Sequence, residues 1–150
     1  MKNIVIVDID GTISKVGDRL KYLQQDKPDW DSFYDACFDD EPILPIIDLV
    51  YSLYLNQFQL VFCTGRRDSV REQTINWFNK YFEPEIAKYS KLLMRKSHDF
   101  RHDTEVKPEL LKNANINLED IAFVLEDRNS MVQKWRELGL ICLQVADGDF

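Results

Sequence analysis

The chain has 150 residues, 45% of them apolar, and its 19 Lys and Arg against 26 Asp and Glu give a formal charge of −7. That length suits one core-bearing domain spanning 1–150, and the acidic balance argues against non-specific adhesion to nucleic acid or an anionic membrane. The opening MKNIVIVDID meets two carboxylates too soon for a signal peptide or membrane span, and Cys37, Cys63 and Cys142 fit no disulfide framework or zinc spacing, so a soluble protein of a reducing cytoplasm is expected.

In chain order, the first β-branched run, 3–7, ends in Asp8-Ile9-Asp10-Gly11-Thr12. Residues from about 13 to 42 are polar, acidic and studded with aromatics, and predict a small helical cap inserted over the sheet edge, with Trp30, Phe33, Tyr34 and Phe38 packing onto the domain. A second run, 59–63, leads into Thr64-Gly65-Arg66. Ser69 with Glu72 reads as a capping box, so a helix is predicted just beyond that loop. After a third run, 91–95, Pro108 suits a first helical turn, which predicts a short helix from near Lys107. The fourth run, 121–125, ends in Glu126-Asp127-Arg128. Ser130 with Gln133 repeats the capping pattern, Gly139 is a natural helix stop, and a fifth run covers 140–145. Strands alternating with helical segments predict an α/β, Rossmann-like fold, a parallel five-stranded sheet with helices on both faces.

In such a sheet the carboxyl ends of the strands share one edge, so the three polar clusters can form one pocket. Asp8, Asp10 and Asp127 crowded there would repel one another without a divalent cation. Oxygen donors with no paired His or Cys favour Mg2+ over zinc. Thr64 and Gly65, expected just before a helix N-terminus, suit an anion, and Lys107 offers a compact positive charge.

The motifs resemble those of the haloacid dehalogenase superfamily of phosphohydrolases. DIDGT is similar to its first motif, Thr64 to its second, Lys107 to its third and Glu126-Asp127 to its acidic fourth. The resemblance implies Asp8 as nucleophile, forming an aspartyl-phosphate, and Asp10 as general acid and base. It implies Mg2+ held by Asp8, the main-chain carbonyl of Asp10 and Asp127, with Glu126 acting through water.

The stretches MRKSHDFRHDTEVK, LEDRNSMVQKWRELG and CLQVADGDF further resemble the phosphatase domain of phage-type polynucleotide kinase/3'-phosphatase. This implies a phosphorylated nucleotide or nucleic-acid 3' end as substrate, with Arg19, Arg66, Arg95, Arg101 and Asp103 supporting catalysis or phosphate binding. Arginines suit bidentate phosphate contacts. No GxxxxGK[ST] occurs in these residues, so no ATP-binding site is expected. Between positions 26 and 41 seven acidic residues face one lysine, which disfavours a long polyanion groove there. Two other readings stand beside the 3'-phosphatase: a small-molecule nucleotidase, and a non-catalytic phosphate- or partner-binding module on the same fold.

Overall fold

The structure, a computed structural model, describes residues 2–150. Five parallel strands, β1 (Ile4–Val7), β2 (Gln59–Arg67), β3 (Lys91–Arg95), β4 (Ile121–Glu126) and β5 (Cys142–Gln144), lie in the order β3-β2-β1-β4-β5. The chain builds outward from β1 to β3, then returns to the other side of β1 to lay down β4 and β5. That reversal opens a crevice outside the carboxyl ends of β1 and β4.

All four residues of β1 are buried, and strict alternation divides them between two cores. Ile4 and Ile6 join Val61, Val124, Leu111, Met131 and Trp135 on one face. Val5 and Val7 join Phe62, Leu125, Val50, Trp77 and Phe78 on the other. The first face is covered by α5 (Asp103–Asn113) and α6 (Asn129–Glu137). The second is covered by α2 (Leu44–Leu55), α3 (Arg71–Tyr81) and α4 (Pro84–Tyr89). A strand buried on both sides must read as continuous apolar residues, which is why IVIV marks the sheet's centre. One irregularity interrupts the β1–β4 pair: Ile4 stands opposite Ile121 but Val5 opposite Phe123, leaving Ala122 as an extra residue in β4.

Several local expectations give way to the structure. Neither capping box forms: α3 is preceded by a 3-10 turn at Asp68–Val70 and has Val70 at its N-cap, and α6 is capped at Arg128, so Ser130 lies inside the helix. Its hydroxyl is buried without a partner. Helix α5 begins a turn before Lys107, because the His102 side chain accepts from the Thr104 amide. Pro108 is therefore interior to that helix. Residues 13–42 contain one six-residue helix, α1 (Trp30–Asp35), flanked by 3-10 turns at Gly17–Tyr22 and Ala36–Asp39. Phe33 is buried and Tyr34 half-buried, whereas Trp30 and Phe38 stay exposed.

Three helices end alike. After α6, Gly139 has φ +84°, its amide reaches Arg136 O at 3.0 Å, and the Leu140 amide reaches Trp135 O at 3.1 Å. Asn115 closes α5 and Gln57 closes α2 with the same pair of bonds, at φ +57° and +68°. Only the glycine is evident from sequence. Gln57 carries a Cβ in a left-handed conformation that disfavours one, so Gln57→Gly should stabilise the fold by about 0.5–1 kcal/mol net of glycine's entropy. Urea unfolding would measure it.

Candidate active site

The carboxyl end of β1 carries Asp8, whose amide still pairs with Leu125 O at 3.0 Å. The chain then turns sharply: the amides of Thr12, Ile13 and Ser14 all converge on Ile9 O at 3.0–3.1 Å. Gly11 makes this turn possible twice over. Its φ is +85°, and an added Cβ would run into the Asp127 carboxylate. Thr12 Oγ1 lies 2.9 Å from Asp8 Oδ2 and 3.3 Å from Asp127 Oδ1, bridging the two acids.

Lys107 reaches the same place from the second turn of α5. Its Nζ donates to Asp8 Oδ1 at 2.7 Å and to Glu126 Oε2 at 2.9 Å, and all three side chains are buried. Burial opposes the lysine's charge, but the Asp8, Glu126 and Asp103 carboxylates outweigh it and raise its pKa well above the ordinary value. Asp8, Glu126 and Asp127 can present ligand oxygens within 4.8 Å of one another. One lysine cannot neutralise three buried carboxylates. Burial and the Asp8 charge push Asp127 up to about 9 and Glu126 up to about 7. All-oxygen donors with surplus negative charge fit a hard divalent cation. Asp127 shares Thr12 with Asp8 and has no cationic partner among the described residues, while Glu126 accepts from Lys107 and, through Oε1, from the Asp127 amide at 3.2 Å.

Asp10 lies outside that trio. Its carboxylate accepts from Arg19 Nη2 at 2.7 Å and from Arg66 Nη2 at 2.6 Å. Burial would raise its pKa, but Arg66 and then Arg19 outweigh burial and hold it near 2. The same guanidiniums bind Asp40, which the sequence reading missed. Arg19 Nε and Nη2 reach its oxygens at 2.7 and 2.6 Å, Arg66 Nη2 at 3.2 Å, and Ser14 Oγ at 2.6 Å. Trp77 Nε1 donates to the Asp40 carbonyl at 2.8 Å. Two wholly buried arginines require two carboxylates, but seven acids crowd positions 26–41 and nothing local distinguishes Asp40.

Thr64 and Gly65 lie within β2, which runs on to Arg67, so they do not precede a helix N-terminus as expected. Their place beside the nucleophile comes from the sheet instead. Gly65 O accepts from Arg95 Nε at 2.8 Å and from Tyr34 Oη at 3.3 Å, and a Cβ there would fall 2.5 Å from Asp103 Oδ1. Arg95 also donates to the carbonyls of Asp99 and Arg101 and pairs with Asp103, which binds Arg128 at 3.0 Å on its other side. Burial raises the Asp103 pKa, yet Lys107, Arg95 and Arg128 together lower it. Arg101 is more exposed and pairs with Asp99 and Glu109 at the rim. The structure thus gathers Asp8, Asp10, Thr64, Gly65, Arg19, Arg66, Lys107, Glu126 and Asp127 around one cleft. Arg95 and Asp103 brace its wall, and Arg101 lies further out.

A carboxylate at the reversal point of a parallel sheet, pinned by a buried lysine, is the arrangement of the haloacid dehalogenase-type phosphatases. The fold agrees: a hydrolase of that family from Streptococcus pneumoniae superposes with a TM-score of 0.61 at 15% identity, covering 95% of this chain and 83% of that one. The chain belongs more narrowly to the polynucleotide kinase (PNKP) phosphatase-domain family, whose model matches residues 2–150. A candidate bifunctional polynucleotide kinase/RNA ligase of Autographa californica nuclear polyhedrosis virus is 32% identical over 135 residues, 89% of this chain and 18% of its own length. A chain of the Pnkp1/Rnl/Hen1 RNA repair complex is 31% identical with a TM-score of 0.82, covering 98% of this chain and 43% of that one. The chain therefore spans less than half the length of the viral relative and of the RNA repair chain.

Two measurements probe the charge arrangement. Lys107→Met leaves buried carboxylates without their cation and should destabilise the fold by about 3–5 kcal/mol, with added Mg2+ restoring more of its Tm than it adds to the wild type. Asp10 has a depressed pKa, so its contribution is complete above the ordinary carboxylate range and disappears as pH falls toward 2. The stability gap between wild type and Asp10→Asn, roughly 2 kcal/mol at pH 7, should close between about pH 4 and 2 in acid-unfolding curves.

Proposed function

We propose that this chain is a Mg2+-dependent polynucleotide 3'-phosphatase working through an aspartyl-phosphate on Asp8. The observation that carries the reading is the seating of Asp8: Lys107 holds one oxygen and Thr12 the other, fixing the carboxylate's orientation in the cleft. A pinned carboxylate can attack phosphorus in line, forming an acyl-phosphate as the ester P–O bond breaks. Mg2+ would be held by Asp8, the main-chain carbonyl of Asp10 and Asp127, with Glu126 acting through water, and would neutralise phosphate charge beside those acids.

Asp10 supplies the proton to the leaving alcohol and later takes one from the attacking water. Clamped by Arg19 and Arg66 it is a carboxylate near neutrality. An arriving phosphate dianion competes for the same guanidiniums, weakens their hold on Asp10 and lets its pKa rise toward the range a general acid needs. Arg66 and Arg19 thereby exchange one anionic partner for another, with Asp40 keeping them in place. Thr64, Gly65 and Lys107 line the phosphate's seat, and Asp103 with Arg95 braces it.

The nucleic-acid end as substrate is supported by the family and by likeness to an RNA repair complex chain. Among the described residues no helix is long and apolar enough to cross a membrane. Three buried free thiols, Cys37, Cys63 and Cys142, support a reducing cytoplasm as its compartment.

With Mg2+, a 3'-phosphorylated oligonucleotide should yield a 3'-hydroxyl end and free phosphate. Faster turnover of nucleoside 5'-monophosphates with none of the oligonucleotide would reject the assignment. Asp8→Asn should lose turnover by at least about 10³-fold with an unchanged circular dichroism spectrum. Calorimetric titration of Mg2+ near pH 7 in buffers of different ionisation enthalpy should reveal proton release, because Asp127 and Glu126 give up protons held by burial. Asp127→Asn should abolish most of that release.

A further inference from the structure

Beside the catalytic cleft lies a cavity of about 270 Å³ lined by Trp30, Tyr34, Arg67, Phe100, Asp103 and Arg128. A second cavity, of about 600 Å³, adjoins it and shares Trp30, Arg67 and Phe100. The first cavity's inner wall is the rim of the active site, since Tyr34 Oη donates to Gly65 O and the Asp103 carboxylate lies against Gly65. Its outer walls are aromatic faces left open to water. Trp30 is 45% exposed and Phe100 77%, whereas Trp77 and Trp135 are fully buried.

The two exposed rings come from distant parts of the chain, Trp30 from the start of α1 and Phe100 from the loop before α5. Arg67 joins them: its guanidinium lies 5.3 Å from the Tyr34 ring and 5.5 Å from the Phe100 ring, while Trp30 stacks on Tyr34 at 5.9 Å. Asp31 pairs with Arg67 and holds it there. Flat π surfaces with an arginine between them suit a planar ring.

We propose that this cleft receives the unpaired base at the phosphorylated end of the substrate, stacked between Trp30 and Phe100 beside Arg67. The inference rests on the nucleic-acid reading of the active site and names how its polymer is recognised. Exposed stacking faces accept a base only when it is free of a duplex, so the preferred substrate is single-stranded at its end. Every base has a π face, so the subsite tolerates all four. Stacking also answers the acidic insertion. A chain of net charge −7 with exposed acids at Asp31, Asp35 and Asp39 cannot hold a long phosphate track, but it can hold one or two bases through their rings.

Trp30 is the exposed tryptophan, so its fluorescence reports on the cleft. In Asp8→Asn, a 3'-phosphorylated tetranucleotide should quench it, and the same probe with an abasic last residue should bind at least about fivefold more weakly. In enzyme with Asp8 intact, Trp30→Ala with Phe100→Ala should raise KM for the oligonucleotide about tenfold or more and lower its turnover relative to a small aryl phosphate, with Trp30→Phe restoring most of the loss. Oligonucleotide hydrolysis that is indifferent to the missing base and to the double variant overturns the subsite and leaves the 3'-phosphatase reading intact. Aryl phosphate turnover without oligonucleotide turnover sinks that reading instead. Quenching of Asp8→Asn by a nucleoside monophosphate, but not by ribose phosphate, then still supports the base subsite, and its absence overturns it.

Discussion

The ammonium of Lys107, buried between Asp8 and Glu126, is the contact on which the site depends. It draws an α5 side chain to the ends of β1 and β4, and so fixes one covering helix relative to the two strands that carry the acids. It leaves the cluster short of positive charge. A buried group of this kind is stable only when protons or a cation make up the difference, and the acidic trio has the donor chemistry that a hard divalent cation would complete.

A second charge system, Arg19 and Arg66 with Asp10 and Asp40, joins the insertion to the sheet. Arg19 comes from the 3-10 turn Gly17–Tyr22, Asp40 follows the turn Ala36–Asp39, and Arg66 comes from β2. Burial raises the pKa of Asp40 even though Arg19 and Ser14 favour its carboxylate, and four donors meet its oxygens. The insertion is thus anchored at its two ends by the guanidiniums that clamp Asp10 and Asp40, while its middle carries the exposed Trp30.

The sheet was legible because a strand in the middle of a covered sheet has a continuous apolar signature, as 4–7 and 121–125 do. DIDGT, Thr64-Gly65-Arg66 and Glu126-Asp127 were legible as a set because polar clusters closing several strands of one parallel sheet share an edge, whereas Lys107, a lone lysine on a helix, joined them only through the family resemblance. Helix starts were less so. Ser69 and Ser130 match a capping pattern, but tertiary packing moved both starts, and a side chain as unconventional as His102 capped α5. Asn115 and Gln57 take left-handed stops that their residue types do not announce. Asp40 was invisible for a different reason: its partner is chosen by three-dimensional closure of the insertion, which sequence spacing does not encode.

The extra residue Ala122 in β4 acts like a reading-frame correction. Without that bulge, Ala122 would pair with Val5, Leu125 would stand level with Asp8, and the two acids would arrive one position further out, each facing the side its neighbour now faces. With it, Leu125 stands level with Val7, so Glu126 is the next residue out, at the height of Asp8, and Asp127 follows toward the open end. The difference between these consecutive acids, one bound to Lys107 and the other to Thr12, is therefore decided at the opposite end of the strand. Deleting Ala122 would close the bulge and keep that register, whereas deleting one residue between Phe123 and Leu125 would shift both acids relative to Asp8.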